Sequence, residues 1–144
     1  MNILKNDLFD ALELLGENPR KSDLKQNLEE KFNYIYGDNI NHLIFVFNYN
    51  MYDLIKQLVN ADDKGIEVSD EYISEIEFLQ EILIVSIESI KNHKMHIAFK
   101  EGMKEKFTSF INDVNYDKIR RYTIATQFLI NYAEAYGIMK CKDA

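Results

Sequence analysis

His93 and His96 lie three residues apart, a spacing that puts two imidazoles on one helix face or on the flanks of a turn, where a zinc site commonly begins. The other ligands are missing. Lys91-Asn92-His93-Lys94-Met95-His96 supplies lysines where carboxylates would help, and His42 and Cys141 are remote in sequence. There is no His-Glu-x-x-His and no paired Cys-x-x-Cys. The histidines read as solvated turn residues, and no metal site is expected.

Covalent chemistry finds no better footing. No serine occupies a Gly-x-Ser-x-Gly elbow, and Cys141 sits in a lysine-flanked tail with no frame to hold a base beside it. Phosphate cradles need closely spaced glycines ahead of a helix, whereas Gly16, Gly37, Gly65, Gly102 and Gly137 are each isolated. The Arg120-Arg121 pair has no histidine a turn and a half later, where an arginine-based ribonuclease motif would want one. No catalytic residue and no cofactor are therefore expected, because acid/base, nucleophilic and metal-assisted chemistry each need convergent groups.

Charge is the non-uniform property. The 144 residues carry a net charge of −7, which repels nucleic acid and anionic membrane at long range. Residues 1–90 hold seven basic and eighteen acidic side chains, while residues 91–121 hold eight and four. Between 65 and 90 there are seven acids and no base. Read as one helix, that stretch places Asp70, Glu77, Glu81 and Glu88 on a single face opposite Tyr72, Ile76, Leu79 and Leu83, with Glu71 and Glu75 at its edge. Like charges at these spacings disfavour the isolated helix by a few tenths of a kcal/mol per pair, so an uncompensated face invites an external basic partner. The bland alternative is a solvated face that keeps the chain soluble.

A competing surface lies further on. Lys91, Lys94, Lys100, Lys104, Lys106, Lys118, Arg120 and Arg121 could meet phosphates, with Tyr116 and Tyr122 stacking on bases. Glu101, Glu105, Asp113 and Asp117 dilute that charge.

The elements that must position these groups read as helical. Apolar residues recur at three- and four-residue steps, and one proline with five scattered glycines leaves few breaks. A first helix over 3–15 carries Leu4, Leu8, Leu12 and Leu15 and stops at Gly16; a second, capped by Ser22 or Asp23, runs through Leu24, Leu28, Phe32 and Ile35 to Gly37. This pair (3–36) has the outline of a helix-turn-helix. A third helix spans about 40–60 and is apolar nearly all round. Ser69 caps a fourth helix reaching about residue 90, although the β-branched run Ile82 to Ile87 leaves a short hairpin near 82–97 as the alternative. A fifth helix over 95–111 and a sixth over 116–136, stopped by Gly137, complete the pattern.

The expectation is an all-α single domain, a bundle of five to six helices over 1–144, with the helices at 40–60 and 69–90 the most buried. The longest apolar runs are about five residues, far short of the ~20 that span a bilayer. No secretory signal pattern opens the chain, and a lone cysteine forms no internal disulfide, so a cytoplasmic location is expected. The functional expectation is a small acidic non-catalytic protein that inhibits or regulates a basic protein partner, in the manner of an immunity protein or a phage inhibitor of host defence. The alternative is a nucleic-acid-binding regulator using the basic segment or the N-terminal helix pair.

Overall fold

The computed structural model describes the backbone of residues 3–132 and the side chains of residues 3–123. Helix α1 (Lys5–Leu14) and helix α2 (Lys25–Ile35) pack together through Leu8, Ala11, Leu12, Leu28, Phe32 and Ile35. Gly16, at φ 87°, ends α1: its N–H donates to Glu13 and that of Glu17 reaches back to Leu12. Those are the paired bonds of a Schellman stop, for which glycine is the usual residue. Leu4 forms the N-cap and is 71% exposed rather than part of the buried stripe.

The region 40–60 is not one helix. A 3-10 turn (Ile40–Phe45) is followed by a break, and helix α3 (Tyr49–Asn60) starts afresh because the Asn48 side chain accepts the Met51 N–H at 2.8 Å. The segment that follows breaks the all-helical expectation outright. Strand β1 (Ile66–Ser69), a 3-10 turn (Asp70–Tyr72), helix α4 (Ile73–Glu81), strand β2 (Val85–Lys91) and strand β3 (Lys94–Phe99) succeed one another, making the protein mixed α/β with an antiparallel sheet of order β1-β3-β2. Ser69 does cap: its hydroxyl accepts the Glu71 N–H at 3.3 Å, leading the 3-10 turn into α4.

Two local causes divert the chain into strands. At the end of α4, Leu83 adopts φ 69°, with its N–H on Gln80 and the Ile84 N–H on Leu79. This is again a Schellman stop, but with leucine in the left-handed position. Beyond it Val85, Ile87 and Ile90 favour the pleat, and Asn92-His93, both at positive φ, form the two-residue turn that joins Lys91 to Lys94. Ile66, Val68, Met95, Ile97, Phe99, Val85 and Ile87 share the sheet's inner face by register, and an irregularity between Ile87 and Ser89 leaves Glu88 as an extra residue in the edge strand β2.

Helix α5 (Met103–Thr108) occupies part of the expected fifth helix, and α6 (Asp113–Tyr132) most of the sixth. Gly137, Tyr136 and Cys141 lie outside the described residues, as do the side chains of Ala125, Phe128, Leu129 and Tyr132. Asn112 caps α6 by accepting the Asn115 N–H at 2.8 Å. The buried Asn115 amide in turn donates to Asn41 Oδ1 and to the Phe110 carbonyl, fixing α6 against the 3-10 turn that holds Phe45.

The core is one cluster drawn from every layer, centred on an aromatic group in which Phe107 meets Tyr36, Phe47, Phe99 and Phe110 at ring distances of 5.6–6.2 Å. Burial is thus shared by α2 and α5 as well as by the two segments expected to dominate it. Tyr36 is fully buried and donates its hydroxyl to the Ile82 carbonyl at 2.7 Å, tying α2 to the turn after α4. Burial pushes this phenol well above the ordinary tyrosine range. The folded state therefore retains a proton that the unfolded chain releases above about pH 10, and the contribution of Tyr36 to stability, complete below that pH, declines as pH rises beyond it. Tyr36→Phe is expected to cost about 1–3 kcal/mol at neutral pH by leaving the Ile82 carbonyl unpaired, and to flatten the alkaline decline by up to about 1.4 kcal/mol per pH unit. Urea titrations at pH 7 and above pH 10 measure both; equal alkaline slopes in the two proteins would contradict it.

Candidate functional site

The acids expected on one helical face are distributed over three elements. Asp70 and Glu71 sit in the 3-10 turn, Glu75, Glu77 and Glu81 on the nine-residue α4, and Glu88 in β2 beyond the Leu83 reversal. A rigid array running from Asp70 to Glu88 does not exist, since the chain leaves the helix after Glu81. Several of these acids also have local partners. Asp70 Oδ2 lies 3.0 Å from His93 Nδ1, Glu75 accepts from Asn50 at 3.4 Å, and Glu88 accepts from the Ser86 hydroxyl at 2.6 Å.

Glu81 has a different setting. It faces Asp7, Asp10 and Glu13 of α1 across an open cleft of about 600 Å³ that also borders Leu14, Gln80 and Leu83. Among the described residues the single cation on its wall is Lys100. Asp7, Asp10 and Glu13 fall at three-residue steps along the outer side of α1, and Glu77 precedes Glu81 by one turn on α4. The acidic groove is thus assembled from two helices far apart in sequence. Reading each segment separately isolates Glu81 but misses Asp7, Asp10 and Glu13, whose only sequence signal is their spacing opposite Leu8 and Leu12.

The basic segment is scattered as well. Lys91 and Lys94 face each other across the hairpin end, and Lys100 borders the acidic groove. Lys104 donates to the Ala61 carbonyl at 2.8 Å and pairs with Asp63 at 3.6 Å. Only Lys118, Arg120 and Arg121 stay together, on α6. Beside them Phe45 and Tyr122, 59% and 54% exposed, meet edge-on at 5.7 Å. With Ile44, Lys118 and Arg121 they line a largely apolar cleft of about 400 Å³. A second cleft, of about 510 Å³, is bordered by Tyr49, Tyr116, Arg120 and Thr123. The Tyr116 ring lies 6.0 Å from that of Tyr49; this neighbouring phenol, with Asp53 and partial burial adding, pushes the Tyr49 hydroxyl up against the opposing charge of Arg120. Phe45 and Tyr49 escaped the sequence reading because they appeared as off-face positions of a continuous helix.

The N-terminal pair presents little to DNA. The outer side of α1 is acidic, and the lysines of α2 are engaged in exposed pairs, Lys25 with Glu29 at 3.8 Å and Lys31 with Asp23 at 3.9 Å. His93 and His96 are drawn to different partners, Asp70 and the Lys64 carbonyl oxygen respectively, while His42 lies 6.0 Å from the Phe45 ring. Among the described residues no group of three or more His, Cys, Asp or Glu side chains is placed to hold a metal ion.

Protein-family models, curated proteins and solved structures were compared with the chain, and none matches. Among the described residues no helix is long and apolar enough to cross a membrane.

Proposed function

We propose that the protein is a non-catalytic cytoplasmic interaction protein that binds a basic protein partner in the groove between α1 and α4 and so inhibits or regulates it. The observation that carries this reading is the convergence of Asp7, Asp10, Glu13 and Glu81 around one cleft with Lys100 as its only cation among the described residues. Carboxylates fixed on two packed helices can occupy positions that phosphates would take on a basic groove, and the field of a −7 protein steers such a partner inward. The chemistry of that partner is lysine- and arginine-rich, as on an enzyme that handles nucleic acid.

The test has two stages. Capture from cells expressing the protein, followed by mass spectrometry, identifies the partner; titration calorimetry then compares the wild type with the triple variant Asp10→Asn, Glu13→Gln, Glu81→Gln. Exposed charges are worth roughly 0.2–1 kcal/mol each, so the three together should weaken binding by about threefold to 150-fold and reduce its salt dependence. Undiminished affinity in the triple variant would refute the groove as the contact.

A further inference from the structure

We propose that the aromatic flanks of α6 form a binding site for a single-stranded polynucleotide, with bases stacking on Phe45–Tyr122 and Tyr49 and phosphates held by Lys118, Arg120 and Arg121. At 100° per residue, Ile119 and Asn115 point α6 into the core, Tyr122 and Lys118 fall on one flank and Tyr116 on the other, while Arg120 and Arg121 lie outward on either side of Asp117. The two clefts of about 400 and 510 Å³ therefore lie on either side of α6, the first bordered by Lys118 and Arg121 and the second by Arg120. Alternating ring faces and guanidinium groups are what a flexible strand requires, because every base offers a π-face and every linkage a phosphate.

The elements that carry the rings are fixed to one another. Asn115 locks α6 to the 3-10 turn through Asn41, and the Tyr52 hydroxyl donates to the Asn112 carbonyl at 3.1 Å, so both walls of each cleft are anchored by buried or half-buried polar contacts. Arg121 keeps donors to spare: its Nε pairs with Asp117 at 3.0 Å, an exposed contact that uses one of the five N–H donors of a guanidinium. A second copy meeting this one through the same face would bring like charges together, whereas a polynucleotide brings phosphates complementary to Lys118, Arg120 and Arg121. The chain-wide negative charge opposes the approach, so binding is local and strongest when few counterions compete.

Fluorescence anisotropy of labelled oligothymidine and oligouridine with the full chain tests the site and separates DNA from RNA as its source. Saturable binding is expected at low salt, falling by at most about twentyfold for a fourfold rise in salt, the limit for three phosphate contacts to a single strand. Phe45→Ala or Tyr122→Ala, both exposed and without a structural burden, should each lower affinity by about fivefold or more, and Arg120→Gln with Arg121→Gln should both weaken binding and shallow the salt slope. Glu13→Gln in the acidic groove should leave it unchanged or slightly improved, which keeps this outcome distinct from the fate of the groove. Absence of saturable binding to either oligonucleotide at low salt, or affinity indifferent to Phe45→Ala and Tyr122→Ala, would overturn the assignment. So would self-association that Phe45→Ala abolishes while both oligonucleotides remain free, since the patch would then be a protein contact.

Discussion

Phe107→Ala should lower the stability of the protein by about 3–5 kcal/mol, the range for emptying a buried phenylalanine site. Phe107 is fully buried and, among the described residues, is the ring that touches the end of α2 through Tyr36, the sheet through Phe99, and the segments before α3 and after α5 through Phe47 and Phe110. Collapse around the missing ring would require helices and sheet to move together, so little of the cavity can be recovered. Urea denaturation followed by far-UV circular dichroism reads the effect: with a slope of roughly 1–3 kcal/mol per M, the midpoint falls by one molar or more. A loss below about 2 kcal/mol would show that the aromatic group repacks and is not the joint between the layers.

Gly65→Ala is expected to cost about 3 kcal/mol or more, for a different reason. Gly65 sits at φ 88°, and a β-carbon there would run into the Ile97 carbonyl oxygen and lie 2.9 Å from the Ala98 β-carbon. Left-handed strain contributes about 1 kcal/mol; the collision with strand backbone supplies the rest, since β1 could relieve it only by withdrawing from β3 at the Ile66–Ile97 pair. Gly102→Ala is the control, because it shares the positive φ but has open space around the position. Hydrogen exchange at β1 should rise selectively in Gly65→Ala and stay near wild type in Gly102→Ala. Equal losses in the two variants would mean that strain alone, and not the close approach, sets the cost.

The parts of the fold that could be read from sequence are those whose ends use common chemistry. Helices α1 and α2 match in extent because apolar spacing and the Gly16 and Gly37 breaks agree, although α2 has Leu24 at its N-cap, with no side-chain cap, rather than Ser22 or Asp23. Ser69 was legible as a cap because its hydroxyl stands before Asp70 and Glu71. The β2–β3 hairpin was legible only as the alternative near 82–97, from the β-branched run Ile82 to Ile87: Leu83 in a left-handed stop looks like uninterrupted helix, and Asn92-His93 form a turn without the glycine that usually announces one. Strand β1 is only four residues long, too short for alternation to stand out. The candidate surfaces follow the same logic. Lys118, Arg120, Arg121, Tyr116 and Tyr122 stayed together because α6 is a real helix, whereas the acids from Asp70 to Glu88 were grouped on a helix that ends at Glu81.

The irregularity in β2 bears on how the protein coexists with copies of itself at high concentration. An outermost strand offers a row of free backbone donors and acceptors, and one that carries Ile90 at 64% exposure is a template on which a passing extended segment could lengthen the sheet. The additional residue, Glu88, breaks the regular spacing of that row midway along the strand, and Lys91 closes it with a charge that a growing stack of like strands would have to desolvate repeatedly. Deleting Glu88 would straighten the row and bring Ile87 and Ile90 into an even pleat, turning a self-limiting edge into one open to fibrillar growth.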